Sequence, residues 1–296
     1  MDPRTLGQFL TLADTLHFGR ASEACHVSPS TLSRVIAQLE DRLGVVLFER
    51  DNRSVLLTLE GELFQRYARE ALQHWESFQN SLLEGTRELH GEISLYCSVT
   101  ASYSFLFDVL TRFRRRHPQI RIKLHTGDPE LATSRVLAGE EQLSIGARPE
   151  RLPAGLAFQP VALSPLVFIA PRAASGVDAV LQRKALRAAD WRRLPMIVPE
   201  RGVVRSRVDA WFSRKKVSPD YTAQVAGNEA IVSMVSLGGG VGVVPGIVLD
   251  NSPLADTVRT LPVKPALAPL ELGLFVLKKR LQNRLLRAFW ATVPRD

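Results

Sequence analysis

Ser30, Thr31, Ser33, Arg34 and Gln38 follow one another closely, and the residues between and beyond them, Leu32, Val35, Ile36, Leu39 and Leu43, recur at helical spacing. A helix built on this stretch buries the second set and presents the first. Hydroxyl, guanidinium and carboxamide groups on one exposed face are the groups that read base edges in a DNA major groove, where Arg bonds guanine in bidentate fashion. Ser28 is a good N-cap, and Pro29 suits the first helical position, where a missing N–H costs nothing. Gly44 is placed to end the helix. A capped surface helix in a small helical bundle is the other reading of these residues.

A second group of residues has the chemistry of an anion site. Cys97-Ser98-Val99-Thr100-Ala101-Ser102 runs from the end of a strand-like segment into a helix-like one. Unpaired N–H groups and the dipole at a helix start favour an anion. Ser98, Thr100 and Ser102 add hydroxyl donors. Thr126-Gly127-Asp128 and Arg148 follow the next two strand-like segments, so three loops converge at strand C-termini, the ligand edge of an open α/β sheet. Arg148 is suited to a carboxylate. Plain N-capping is the alternative for Thr100 and Ser102.

Elements that could position the first group lie on both sides of it. Leu6, Phe9, Leu10 and Ala13 form one face of an opening helix. Ala21 and Ala24 keep a second, short helix small on its inner face, so the helix from Pro29 can cross it closely, with Val27 plugging the turn. The arrangement reads as a helix-turn-helix. After Gly44, two short apolar runs flank the polar tip Asp51-Asn52-Arg53-Ser54, which predicts a β-hairpin wing. Arg50 and Arg53 could there contact phosphate or the minor groove, or lie solvated.

Beyond Thr58, Phe64, Ala68, Ala71, Trp75, Phe78 and Leu82 alternate steps of four and three, the spacing of a coiled-coil seam. The linker helix, Leu59 to about Arg87, is therefore expected to pair with its copy in a second subunit. Packing against the chain's own C-terminal part is the alternative.

From Gly91 strands alternate with amphipathic helices, the mark of α/β units. Strands are expected near 93–98, 120–125, 143–147, 166–170, 196–198, 221–225, 241–244 and 270–277. Helices are expected near 103–117, 131–138, 204–215 and 229–237, with a last one ending in Phe289-Trp290. The pattern resembles bilobed periplasmic solute-binding proteins. The expected fold is α/β with an all-α-dominated winged helix-turn-helix N-terminal domain, a coiled-coil linker helix and a bilobed effector domain. The boundaries are 1–58, 59–90 and 91–296, with lobe I at 91–160 and 266–296 and lobe II at 161–265.

Composition narrows the function. With 296 residues, 45% of them hydrophobic, there is room for a small domain and two lobes. The net charge of +8 does not mark the helix-turn-helix, because residues 1–60 carry six arginines against eight carboxylates. Placement of Arg34, Arg50 and Arg53 argues for DNA instead. No apolar run approaches a membrane span, and Met1-Asp2-Pro3-Arg4 lacks a signal-peptide core, so a cytoplasmic protein is expected. Cys25 and Cys97 read as small buried hydrophobes. Gly238-Gly239-Gly240-Val241-Gly242 closes a helix and precedes a strand, which makes it a turn and not a dinucleotide fingerprint. The histidines lack metal-ligand spacing, and no Ser, His and acid set stands in a recognisable motif. Neither cofactor, metal nor catalysis is expected. A solute-binding protein would need an export signal.

The run from Arg20 through Leu39-Glu40, Leu43-Gly44, Leu47-Phe48-Glu49-Arg50, Arg53, Leu57-Thr58 and Gly61 resembles the signature of LysR-type transcriptional regulators. Ser28-Pro29-Ser30 departs from it, since most members carry Gln after the Ser. The resemblance implies operator DNA as partner, with Arg20, Ser22, Ser28 and Pro29 joining the residues above at the interface. It also implies a small effector bound between the lobes by Ser98, Thr100, Ala101, Ser102, Thr126, Gly127, Asp128 and Arg148, faced by Glu200, Gly202 and Asn228. Dimers that pair into tetramers, contact with RNA polymerase and a place at the nucleoid follow from the same resemblance. Lys123-Leu124-His125-Thr126-Gly127-Asp128, Trp211-Phe212, Asn228 to Val235, Asn251-Ser252-Pro253 and Lys278-Lys279-Arg280-Leu281 are similar to one branch of that family. Its members activate the acetohydroxy acid isomeroreductase gene of isoleucine and valine synthesis. Their inducers, acetolactate and acetohydroxybutyrate, are small hydroxy-keto carboxylates. A sibling regulator answering a different small carboxylate is the alternative.

Overall fold

The computed structural model describes residues 2–51, 54–82, 89–173, 178–181 and 186–293. They form an N-terminal unit built on Met1–Arg87 and a C-terminal unit built on Glu88–Leu137 and Glu141–Asp296.

The N-terminal unit has helices α1 (Pro3–Thr15), α2 (Phe18–Ala24) and α3 (Pro29–Leu43), a hairpin of β1 (Phe48–Arg50) and β2 (Val55–Leu57), and helix α4 (Leu59–Leu82). Each of the first three helices starts where a side chain accepts a free N–H: Asp2 from Thr5, His17 from Arg20 and Ser28 from Thr31. Gly44 ends α3 at φ +69, a left-handed conformation that favours glycine. Phe9, Leu12, Ala21, Leu32, Ile36 and Leu47 are wholly buried. Leu12 therefore stands in the core where Leu10 was expected, and Leu10 is half-buried. Leu43 is 38% exposed and Ala24 is exposed, because this small core ends before the last turns of α2 and α3.

Helix α4 departs from expectation more sharply. Phe64 and Ala68, expected in the intersubunit seam, are buried in this unit's own core, with Phe64 edge-on to Phe9 at 4.7 Å. Ala71 packs against the same core. Heptad spacing reports an apolar stripe but not which surface covers it, and here α1 covers its first turns. Trp75 and Phe78 are 44% and 52% exposed. Leu59, Leu63 and Tyr67, at four-residue steps on a different face, are exposed as well. Arg53, the side chain of Leu82 and residues 83–88 lie outside the described residues.

The C-terminal unit begins β3 (Gly91–Cys97), α5 (Val99–Tyr103), α6 (Phe105–Arg116), β4 (Ile120–Thr126), α7 (Ala132–Leu137), β5 (Leu143–Ala147), β6 (Leu156–Ser164) and β7 (Leu166–Pro171). It continues α8 (Asp178–Leu181), α9 (Ala188–Trp191), β8 (Pro195–Pro199), α10 (Gly202–Arg214), β9 (Asp220–Val225), α11 (Asn228–Ser236) and β10 (Val241–Pro245). α12 (Gly246–Asp250), β11 (Val258–Leu261), β12 (Leu270–Leu277) and α13 (Arg284–Thr292) complete it. Two five-stranded mixed sheets result, ordered β4-β3-β5-β12-β6 and β11-β7-β10-β8-β9. The chain leaves the first sheet at Ser164-Pro165 and returns to it at Leu270. Residues 161–164, assigned to lobe II from the sequence, thus belong to the first sheet.

Strand β6 escaped the sequence reading because Gln159 and Pro160 interrupt its apolar pattern. Its place at a sheet edge tolerates a residue without an N–H. The helix expected over 103–117 forms as α6, and a separate short helix, α5, precedes it across a break at Ser104. One core gathers Phe113 and Phe289, 4.9 Å apart, beneath the first sheet, and another gathers Phe168, Trp191, Trp211 and Phe212 beneath the second. Among the described residues no helix is long and apolar enough to cross a membrane, and no cluster of His, Cys, Asp and Glu could hold a metal ion.

Candidate nucleic-acid interface and effector cleft

On the surface of the N-terminal unit, Ser28, Pro29, Ser30, Arg34 and Gln38 are exposed, and Thr31 and Ser33 are half-buried. The Ser28 hydroxyl hydrogen-bonds with those of Ser30 at 3.0 Å and Thr31 at 2.8 Å, so three hydroxyls stand together at the start of α3. Arg34 follows one turn later. Arg20 is exposed and donates to the Thr15 carbonyl at 3.0 Å. Ser22 corrects the expectation for it: it is 2% exposed and its hydroxyl donates to the Gly19 carbonyl at 2.8 Å. It follows Ala21 on the inner side of a seven-residue helix and has no outward face.

The wing is tied to α3 by a residue the sequence did not single out for it. Glu40 Oε1 accepts the Leu47 and Phe48 N–H groups at 2.9 and 3.1 Å, and Oε2 lies 2.7 Å from Arg50 Nη2. Arg50 also lies 5.1 Å over the Phe18 ring. A carboxylate at the end of α3 thus fixes where the hairpin starts and where its first arginine sits.

In the C-terminal unit a narrow cleft opens between the two sheets. Its lining includes Ser98, Thr100, Ala101, Glu130, Ala147 and Asn228, with apolar walls from Ile145, Val204, Val248 and Leu272. Ser98 caps α5, its hydroxyl accepting the Ala101 N–H at 3.2 Å. Thr100 is 2% exposed and donates both its N–H, at 3.1 Å, and its hydroxyl, at 2.6 Å, to Glu229 Oε1 at the start of α11. In the opposite direction Glu130, which follows β4, accepts the Val203 N–H at 3.2 Å in the first turn of α10. Arg201 closes the narrow end on Asp128 at 3.2 Å, beside Glu200. Each lobe therefore lends a carboxylate to the first turn of a helix in the other.

Burial pushes the Glu130 carboxyl up to about 7, with the nearby Asp128 charge adding to it and the Val203 N–H and Arg201 opposing. Gly202 makes this approach possible. Its φ of +93 favours glycine, and a Cβ there would overlap the Glu130 carboxyl.

Other expected effector residues lie elsewhere. Arg148 lines no part of the cleft and pairs with Glu271 at 2.9 Å. The antiparallel register sets Leu272 opposite Ala147, which brings Glu271 beside Arg148. Ser102 turns back on its own helix, donating to the Val99 carbonyl at 2.6 Å. Thr126 ends β4 and Gly127 follows it, neither among the residues lining the cleft, and a side chain at Gly127 would strike the Tyr96 hydroxyl. Asp128 is shared between its own loop, where it accepts the Glu130 N–H at 3.1 Å, and Arg201. Glu130 and Glu229 were missed. An acid in a first helical turn reads only as a complement to the helix dipole, and nothing local says that it reaches another lobe.

Residues 3–62 match the family described as bacterial regulatory helix-turn-helix protein, lysR family, and residues 86–295 match the LysR substrate binding domain. The chain belongs to the LysR family of transcriptional regulators. It is 43% identical over 297 residues to the HTH-type transcriptional activator IlvY of Salmonella typhimurium, covering 99% of this chain and 100% of that protein. Identity is also 43% to the HTH-type transcriptional regulator IlvY of Escherichia coli, with 99% of each chain covered. Among solved structures, full-length CbnR complexed with its target DNA superposes with a TM-score of 0.67 at 22% identity, covering 99% of both chains.

Proposed function

We propose that this chain is a transcriptional activator of the IlvY kind, which turns on the acetohydroxy acid isomeroreductase gene of isoleucine and valine synthesis when a small acetohydroxy acid occupies its cleft. Likeness to the IlvY proteins across the whole length supports the activator role. The observation that carries the effector class is Thr100, whose N–H and hydroxyl hold a carboxylate beside walls of Ile145, Val204 and Leu272. Acetolactate and acetohydroxybutyrate combine a carboxylate with a short carbon skeleton, which suits both features. The chain acts as a regulator in the cytoplasm.

On this reading two subunits pair through α4, using its exposed apolar residues, and such dimers pair again. Their α3 helices enter successive major grooves of an inverted repeat. Arg34 and the hydroxyls at 28, 30 and 31 meet bases and phosphates, while the wing fixes register. Effector binding alters lobe geometry, and with it the DNA bend met by RNA polymerase.

Footprinting of the intergenic operator tests the interface: Arg34→Ala is expected to weaken protection by roughly tenfold or more. Unchanged protection would overturn the assigned face. Calorimetry with acetolactate tests the effector: heat is expected with the wild-type protein and its loss in Thr100→Ala. Heat with a different carboxylate and none with acetolactate would move the protein to another pathway.

A further inference from the structure

We infer that Glu229 is a built-in stand-in for the effector's carboxylate, seated on Thr100 until a small carboxylate displaces it. The inference rests on the effector reading of the cleft given above. Glu229 comes from the second lobe and reaches a residue 129 positions away in the first. One oxygen accepts two donors, and the hydroxyl contact of 2.6 Å lies in the range of a charge-assisted bond. Thr100 is almost wholly buried, so without an acceptor its N–H and hydroxyl would be left unpaired at a cost. The site therefore needs an acceptor at all times, and the chain supplies one, a carboxylate.

Two further features make this carboxylate exchangeable. Among the described residues no Lys, Arg or His pairs with Glu229, so its hold on the site is the Thr100 contact itself. An effector carboxylate cannot share the same two donors with it, because like charges side by side in a narrow cleft repel. Binding is then an exchange: the effector takes the Thr100 donors and Glu229 swings free. The exchange removes the Thr100–Glu229 tie between the lobes and leaves Asp128–Arg201 and Glu130–Val203 in place. Occupancy of the cleft is thereby converted into a change in how the lobes are held. An internal competitor also lowers apparent affinity by the fraction of molecules in which the site is free.

The test is calorimetry of the full-length protein with acetolactate, comparing wild type, Glu229→Gln, Glu229→Ala and Thr100→Ala, with thermal melts to establish folding. Removal of the competitor is expected to tighten binding about tenfold in Glu229→Ala and less in Glu229→Gln, which keeps a neutral acceptor. Weaker binding in both Glu229 variants would mean that Glu229 contacts the effector, and would overturn the inference. Unchanged binding in both would overturn it too. Loss of heat in Thr100→Ala without tightening in the Glu229 variants would sink the stand-in and spare the site, whereas full heat in Thr100→Ala would sink the site. If acetolactate gives no heat with any variant, effector-free transcription in vitro decides. Glu229→Ala is then expected to raise promoter output several-fold, and unchanged output would overturn the inference.

Discussion

Glu130 Oε2 accepts the Val203 N–H at 3.2 Å, so a carboxyl of one lobe caps the first turn of a 13-residue helix in the other. Burial lifts this carboxyl to about 7 from an ordinary 4.5. A folded value above the unfolded one means that the folded protein holds the proton more tightly. The stabilisation is complete below the unfolded value and is lost as pH rises through the folded value. The melting temperature of the C-terminal unit should therefore fall between about pH 5 and about pH 8. In Glu130→Gln, whose amide oxygen still accepts the Val203 N–H, that component should vanish. Thermal melts in matched buffers check it, and equal slopes for the two proteins would contradict the assignment.

Gly202→Ala should destabilise the second lobe by about 2 kcal/mol or more, since the new Cβ meets the Glu130 carboxyl at a backbone φ of +93. Adding Glu130→Ala should recover the steric part and leave the backbone strain. Urea unfolding of the single and double variants separates the two contributions. Equal loss in both would show that the overlap is not felt.

Glu40→Ala should cost the N-terminal unit about 2–3 kcal/mol, because it strips acceptors from two N–H groups on buried residues and frees Arg50. Glu40→Gln should cost less. Amide exchange at Leu47 and Phe48 is the direct measurement, and protection unaltered in Glu40→Ala would refute the tie. Operator affinity should fall in the same variant as the wing loosens.

Leu63→Glu and Tyr67→Glu, on an exposed face of α4, should shift subunits toward monomer in sedimentation while leaving the melt of the N-terminal unit nearly unchanged. Phe64→Ala should do the reverse, costing about 3–5 kcal/mol through a cavity beside Phe9. A monomer produced by Phe64→Ala with an unaltered melt would restore that residue to the intersubunit seam.

The helix-turn-helix was legible from the sequence because its signals are local. Ser28, Pro29 and Gly44 act within a few residues of where they stand, and the periods of α1 and α3 state which faces are apolar. The cleft was legible in part. Ser98, Thr100, Ala101 and Asn228 lie in it, and the loops after β3 and β4 contribute to it. Arg148 was misplaced by a register effect, since only the pairing of β5 with β12 brings Glu271 beside it.

Composition, capping residues and apolar periods by themselves determined most of the elements, which faces of them are apolar, and the alternation of strands and helices in the C-terminal part. They act over three or four positions, so a linear reading captures them. Tertiary structure alone decided which polar groups meet. Glu229 finds Thr100 across 129 positions and Glu130 finds Val203 across 73, while Phe64 and Ala68 find the core of their own N-terminal unit. Such partners depend on how whole sheets and helices pack, and the energies at stake are those of buried groups that must not be left unpaired. That requirement set carboxylates of the chain itself on the first helical turns that face the cleft.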